Sequence, residues 1–96
     1  MRVIRYTTNP GQADANAEFV TAVFRELAAK TPDEVRYAVL RFEDGTFLHL
    51  ADVPGDGERL TELASFQAFV TTVDERRTGE PARGEATIVG NYRMLA

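Results

Sequence analysis

The sequence predicts an α+β domain in which a four-stranded antiparallel sheet carries helices on one face. Three observations predict it. Asp44-Gly45 stands between two apolar runs, and this residue pair is typical of a tight β-hairpin turn. Apolar residues recur at helical spacing on both sides of that hairpin, and β-rich runs lie near both ends of the chain. The resulting order, β-α-β-β-α-β, is that of a ferredoxin-like split βαβ domain.

The first half of the chain divides into a strand and a helix. Residues Arg2 to Thr8 alternate and are rich in β-formers, and Asn9-Pro10-Gly11 ends this strand. The helix runs from about Gln12 to Lys30, because Thr31 precedes a proline and such residues avoid the helical conformation. One side of this helix carries an apolar stripe made of Phe19, Val20, Val23, Phe24 and Leu27.

The central hairpin, Val35 to Val53, determines which side chains share a face. A two-residue turn at Asp44-Gly45 would place Leu40 opposite His49. Alternation along the strands then gives one face with an aliphatic centre, which we assign to the helices: Val39, Leu48 and Leu50. The opposite face, turned away from the helices, consists of Arg36, Ala38, Leu40, Phe42, Phe47, His49 and Ala51.

The second half repeats the pattern of a helix followed by a strand. A loop at residues 54–57 precedes a helix from about Glu58 to Arg76, in which Ser65 could cap a break after the first turn. The stretch from Thr78 to Gly84 is rich in turn residues and is predicted to be a loop. The final strand is predicted over Glu85 to Leu95.

Size and composition narrow the function classes. A chain of 96 residues suits one domain, which we take as residues 1–96. The net charge of −4 argues against nucleic-acid binding, and one histidine with no cysteine argues against a metal site. No apolar run approaches the roughly 20 residues of a membrane span, so we expect no membrane partner and a cytoplasmic location. No motif indicates an organic cofactor either.

The predicted topology leaves one face of the sheet without cover. Both helices of a split βαβ domain lie on the same side of the sheet, and the hairpin has no plainly polar face. The chain has no further element to cover the second face. We therefore expect a homodimer in which two sheets face each other and form a dimeric α/β barrel.

Three short stretches carry a resemblance to a known family. They are Asn9-Pro10-Gly11, the segment from Leu63 to Phe69, and the segment from Val89 to Arg93. Together with the element order, they make the chain similar to the dimeric α/β-barrel superfamily, and most similar to its small proteins of the antibiotic-biosynthesis-monooxygenase type. The resemblance implies a homodimer and, as in some members, oxygenation of an electron-rich aromatic or quinol-type substrate without a cofactor.

The functional hypothesis centres on His49. As the only histidine, it would act as general acid or base in a cofactor-free oxygenase or isomerase, because histidine titrates near neutral pH. Three polar side chains would hold a developing oxyanion, and two aromatic side chains would contact the ring of a small hydrophobic or anionic ligand. The first group is Arg5, Arg36 and Asn91, which we expect to share a sheet face with His49, and the second is Phe42 and Phe47.

Simpler interpretations remain open for the same residues. His49 could be a hydrogen-bonded structural residue, and the arginines could pair with carboxylates across a dimer interface. Tyr6, Tyr37 and Tyr92 could be core or interface aromatics. The alternative function is thus a non-catalytic module of the same fold, which binds a ligand or only dimerises.

Overall fold

The computed structural model describes residues 1–95, and its element order matches the prediction. All three pairs of neighbouring strands are antiparallel, in the sheet order β2-β3-β1-β4. A four-stranded antiparallel α+β fold of the ferredoxin-like type is therefore confirmed. No helix among the described residues is long and apolar enough to cross a membrane. The elements are β1 (Arg2–Thr8), α1 (Ala13–Lys30), β2 (Arg36–Arg41), β3 (Thr46–Asp52), α2 (Glu58–Thr61), α3 (Ala64–Thr72), a 3₁₀ turn (Val73–Glu75) and β4 (Arg77–Glu85).

The core lies between one face of the sheet and the helices. Val20 and Val23, from the predicted apolar stripe of α1, are buried against this face. The strands contribute Tyr6 and Phe47, whose rings stack with centroids 5.8 Å apart. The helical segments after the hairpin complete the core with Leu60, Leu63 and Phe69.

The hairpin register differs by one residue from the predicted one. Leu40 pairs with Leu48, and Val39 pairs with His49. The loop contains three residues rather than two, because the Phe42 N–H donates to the Thr46 carbonyl at 2.8 Å. Gly45 follows the turn with a φ of +88°, the geometry of a type I turn closed by a glycine bulge. The prediction of a two-residue turn was therefore wrong.

Because of this shift, the side chains of β3 lie on the opposite face from the predicted one, whereas those of β2 lie on the predicted face. Val39 packs against the core as predicted, and Leu40 is 50% exposed on the other side. His49 and Phe47 are buried under the helices, whereas Leu48 and Leu50 lie on the face turned away from them. The predicted faces of β3 were thus reversed, because successive side chains alternate and one extra loop residue exchanges every position.

The second helix is interrupted, as the sequence suggested. It forms the single turn of α2, then α3, and ends in the 3₁₀ turn. The cap at the break differs from the predicted one, since Leu63 occupies the N-cap position and no side chain there caps the helix. The Ser65 hydroxyl instead donates to the carboxylate of Glu26 on α1.

The last strand lies earlier in the chain than predicted. β4 runs from Arg77 to Glu85, so it covers the stretch predicted to be a loop, and no strand follows it within residues 86–95. Its turn-forming residues are tolerated because β4 pairs with β1 alone and is an edge strand. Gly79 has a φ of +68° where the pairing with β1 shifts register, and Pro81 needs no ladder partner on the free edge.

Candidate ligand-binding site

A cavity of about 630 Å³ lies between the helix-covered face of the sheet and the segments α2 and α3. Its walls are largely apolar and include Ile4, Ala51, Leu60, Phe66, Phe69 and Val73. Tyr6, Tyr37 and His49 also line it and supply polar atoms. Charged side chains of both signs line it as well, namely Arg2, Asp52, Asp56, Asp74, Arg77, Arg83 and Glu85.

His49 is held between two tyrosines. The Tyr6 hydroxyl lies 2.8 Å from Nε2 of His49, and the Tyr37 hydroxyl lies 2.6 Å from Nδ1. Each tyrosine comes from a different strand beside β3, since Ile4 and Val39 pair with His49 on the two sides. Both nitrogens of the imidazole ring are therefore engaged by side chains of this chain.

The polar contacts continue beyond Tyr6 into the core. Asn16, which is fully buried, donates from its amide nitrogen to the Tyr6 hydroxyl at 2.9 Å. The amide oxygen of Asn16 accepts a hydrogen bond of 3.0 Å from Nε of Arg76. We call the five side chains that are connected in this way the polar chain: Arg76, Asn16, Tyr6, His49 and Tyr37.

Arg76 is a buried cation at the inner end of the polar chain. Its side chain donates to the hydroxyl of Thr72 at 2.7 Å and lies over the ring of Phe19, with 4.0 Å from the guanidinium carbon to the ring centroid. No carboxylate lies within ion-pair distance of it in the part of the chain that the structure describes. Hydrogen bonds and aromatic faces thus stabilise this charge.

Burial determines the protonation of the site at neutral pH. Desolvation lowers the pKa of His49 to about 4, so its imidazole is neutral. Desolvation also raises the pKa of Tyr37 and, against the hydrogen bond from Asn16 and the charge of Arg76, that of Tyr6. The tyrosines therefore keep their protons, and the polar chain has no anionic member.

The structure separates the residues that the sequence grouped into one site. His49 lines the cavity, and Phe47 is buried beside it, stacked on Tyr6. The expectation that Arg5 shares a face with His49 was wrong, because Arg5 pairs with Leu48 on the opposite face of the sheet. Arg36 lies at the start of β2 opposite Asp52, on that same opposite face.

The other two predicted ligand-binding residues also lie away from the cavity. Phe42 is at the hairpin turn and is 48% exposed. Asn91 lies in the segment after β4, where its amide oxygen accepts backbone N–H groups of Met94 and Leu95. The prediction of a strand over this segment was wrong, and Asn91 therefore does not lie on a sheet face with His49.

Two polar residues of the site were not identified from the sequence. Asn16 occupies a position of α1 that is four residues before Val20 and seven before Val23, so it belongs to the buried stripe. A polar residue within an apolar stripe is the signal that could have identified it. Arg76 was predicted only as the last residue of the second helix, and its burial depends on the path of the chain into β4.

The polar groups at the cavity suit an organic ligand. Among residues 1–95, no group of three or more histidine or acidic side chains is placed to hold a metal ion. The cavity instead combines aromatic walls with hydroxyl and imidazole groups, the mixture that is typical of sites for small organic molecules.

Comparison with solved structures identifies the fold. The structure of an antibiotic biosynthesis monooxygenase matches 93% of this chain and 97% of that chain, with a TM-score of 0.63 and 16% identity. Rv0793 from Mycobacterium tuberculosis matches 94% of each chain at a TM-score of 0.71 and 14% identity. A conserved protein from Methanosarcina mazei matches 86% of each chain at a TM-score of 0.68 and 12% identity.

These likenesses confirm the predicted fold. Several of the matching structures are described as antibiotic biosynthesis monooxygenases, and they match nearly the whole of this chain. No protein-family profile matches the chain, and no curated protein matches it.

Proposed function

We propose that this protein binds a small aromatic ligand of the phenol or quinol type in the cavity and oxygenates it without a cofactor. The observation that carries this proposal is the combination of aromatic walls with the tyrosine–histidine–tyrosine contact in one cavity. The likeness to structures described as antibiotic biosynthesis monooxygenases supports the oxygenase activity.

The size and walls of the cavity suit a ligand of two or three fused rings. Its volume of about 630 Å³ lies within the range of ligand pockets, roughly 300–1,000 Å³. Phe66, Phe69 and Tyr37 line it with their rings tilted or edge-on to one another, so a flat ring system would meet aromatic faces and edges. His49 and the tyrosine hydroxyls would contact the oxygen substituents of such a ring.

The proposed reaction balances without a bound cofactor. In the keto form of a phenol-type substrate, a ring carbon is a CH₂ group, and oxygenation converts it to C=O. One oxygen atom of O₂ enters the product, and the other leaves as water with the two hydrogens. All four electrons come from the substrate. The protein would supply a water-poor cavity and polar contacts to the substrate oxygen.

We further propose that the working unit is a homodimer formed through the open face of the sheet. This face carries apolar side chains that no helix covers, namely Val3, Ala38, Leu40, Leu48 and Leu50. Burying them against a second copy would remove this surface from water, and a self-complementary contact of this kind gives a closed dimer.

A ligand-binding module without turnover is the second candidate, and the state of His49 favours it. A pKa of about 4 makes this imidazole a weak base at neutral pH, and both of its nitrogens already contact tyrosines. Such a site would hold a ligand firmly while offering little proton transfer.

The test combines oxygen uptake with ligand binding. Purified protein is mixed with dihydroxynaphthalenes, and dissolved O₂ is followed with an electrode while ¹⁸O₂ labels the product for mass spectrometry. Uptake of one O₂ per substrate with one labelled oxygen in the product supports the oxygenase. Binding seen by tyrosine fluorescence quenching without O₂ uptake supports the binding module.

A matched pair of variants tests whether the cavity is the site. Ala51→Phe places a ring in the cavity that Ala51 lines, and it should abolish binding. Ala68→Phe adds the same ring on the exposed side of α3 and should leave binding unchanged. Equal binding by the two variants, both folded by circular dichroism, would refute the cavity as the ligand site.

A further inference from the structure

The polar chain has a single consistent direction of hydrogen donation, and its origin is Arg76. A guanidinium group only donates, so the Asn16 atom that it contacts must be the amide oxygen. The amide nitrogen of Asn16 is then the atom that faces Tyr6, and it donates to the Tyr6 hydroxyl at 2.9 Å. This step fixes the orientation of an amide that could otherwise be turned either way.

The same direction of hydrogen donation continues from Tyr6 through His49 to Tyr37. Because the Tyr6 oxygen accepts from Asn16, its own hydrogen is directed to Nε2 of His49, 2.8 Å away. A neutral imidazole that accepts at Nε2 carries its hydrogen on Nδ1. That hydrogen is donated to the Tyr37 oxygen at 2.6 Å. Asn16, Tyr6 and His49 thus each accept from the member before them and donate to the next.

The hydroxyl hydrogen of Tyr37 is left at the end of this chain. His49 is the hydrogen-bond partner of the Tyr37 hydroxyl within residues 1–95, and in that contact the hydroxyl accepts. Tyr37 lines the cavity. A buried or half-buried hydroxyl hydrogen that has no acceptor raises the free energy of the folded protein. An acceptor atom on a bound ligand removes this penalty.

We propose that the polar chain makes Tyr37 a hydrogen-bond donor to the ligand, so that the cavity selects an aromatic ligand with an acceptor oxygen. A quinone carbonyl or a phenolate meets this requirement, whereas the same ring without oxygen does not. Asn16 and Arg76 are positioning residues in this scheme, since they act on the ligand only through Tyr6 and His49. The inference rests on the proposed function, because it names the ligand chemistry of the same cavity.

An isosteric change at the far end of the polar chain would reverse its direction. Asn16→Asp replaces the donating amide nitrogen by a carboxylate oxygen, and Arg76 can still donate to the other oxygen. The Tyr6 hydroxyl would then donate to the carboxylate rather than to His49. The hydrogen of His49 would move to Nε2, and Tyr37 would donate to Nδ1. The Tyr37 oxygen would become an acceptor toward the ligand.

The first measurement needs no ligand. His49 is the only histidine, so its two ¹⁵N side-chain resonances are free of overlap. We expect wild-type protein at pH 7 to show the neutral form protonated at Nδ1, and Asn16→Asp to show the form protonated at Nε2. A wild-type spectrum of the Nε2-protonated or the doubly protonated ring would overturn the proposed direction.

The second measurement uses three probes of the same ring size: naphthalene, 1,4-naphthoquinone and 1-naphthol. Tyr37→Phe should weaken the binding of the quinone and of the naphthol roughly tenfold, about one net hydrogen bond, and leave naphthalene unchanged. Asn16→Asp should weaken the quinone alone, because the naphthol can donate to the reversed Tyr37. Tyr92→Phe makes the same chemical change at a side chain that is 77% exposed and serves as the control.

The outcomes separate this inference from the proposed function. If wild-type protein binds none of the three probes, the proposed function fails, and the ligand preference fails with it. If it binds them and Tyr37→Phe binds the quinone and naphthalene as wild type does, this inference alone is overturned. Equal weakening of all three probes by Tyr37→Phe would also overturn it, because that pattern indicates structural damage. If Asn16→Asp does not fold, Tyr37→Phe and the wild-type ¹⁵N spectrum decide the question.

Discussion

The carboxylate of Glu26 on α1 caps the first turn of α3 through Ser65. One oxygen of Glu26 accepts the Ser65 backbone N–H at 2.9 Å and the Ser65 hydroxyl at 2.6 Å. The other oxygen lies 2.9 Å from the ammonium group of Lys30. The hydrogen bonds from Ser65 are the main reason why the pKa of Glu26 falls to about 2. A helix N-terminus favours an anion, so this contact joins the two helices.

We predict that Ser65→Ala lowers the thermal midpoint by a few degrees at pH 7, because it removes one of these hydrogen bonds. A carboxylate with a lowered pKa stabilises the folded state above its unfolded pKa of about 4.5 and loses this effect as the pH falls toward 2. The difference between variant and wild type should therefore shrink below pH 4.5. Thermal melts between pH 2 and pH 7 measure it.

Thr71→Ala is the control for this prediction. The Thr71 hydroxyl donates to a carbonyl of its own helix, on an exposed face. Replacing Thr71 by alanine should change the thermal midpoint little, because alanine is the better helix former. A difference between Ser65→Ala and wild type that stays constant down to pH 2 would contradict the role of Glu26.

We predict that wild-type protein loses stability as the pH falls from about 6.5 to about 4, before most carboxylates titrate. The buried His49 has its pKa lowered from 6.5 to about 4, so the unfolded chain binds its proton first. The free energy of unfolding should fall by up to about 3 kcal/mol across this range. His49→Gln can still donate and accept between the two tyrosines, and it should show a flatter profile.

Urea unfolding at half-unit pH steps tests this prediction. Subtracting the His49→Gln curve from the wild-type curve removes the carboxylates that both proteins share. Parallel curves between pH 6.5 and pH 4 would mean that His49 titrates equally in the folded and unfolded states. In that case the burial of its imidazole does not disfavour the charged form.

The sequence predicted the elements better than their exact positions. The α1 stripe follows from spacing alone and is present. The break before α3, which Ser65 suggested, is also present, although Ser65 is not its N-cap residue. The strand β4 was missed because Gly79, Pro81 and Gly84 indicate a loop. Those residues disfavour a central strand, but β4 lies at the sheet edge, a tertiary fact that local pattern does not contain.

The candidate site was predicted less well, and the hairpin loop is the reason. Asp44-Gly45 fits both a two-residue and a three-residue loop, and the choice moves His49 from one face to the other. The three-residue loop is favoured by the Asp44 carboxylate, which accepts the Thr46 N–H at 2.9 Å. The hydrogen-bond partners of His49 come from β1 and β2, so no local pattern links them.

We predict that Gly45→Ala destabilises the protein by about 1–3 kcal/mol. Gly45 has a φ of +88°, and a Cβ there would lie 2.9 Å from the hydroxyl oxygen of Thr8. That hydroxyl donates to the Gly45 carbonyl, so it cannot move away without losing a bond. Gly84→Ala, where φ is not positive and no atom lies within 4 Å of the new Cβ, should be nearly neutral. Chemical unfolding of both variants checks the comparison, and equal stabilities would contradict it.

We predict that Leu40→Glu converts the protein to a monomer while Val70→Glu does not. The two side chains have nearly the same exposed fraction, 50% for Leu40 and 49% for Val70. A glutamate at either position should therefore destabilise a single copy by a similar amount. Leu40 lies on the open face of the sheet, whereas Val70 lies on α3. A charge on the sheet face would lose its contact with water in the proposed dimer. Sedimentation velocity at micromolar concentration measures the outcome. A monomeric wild type would refute the dimer, and a dimer that persists in Leu40→Glu would assign its interface to another surface.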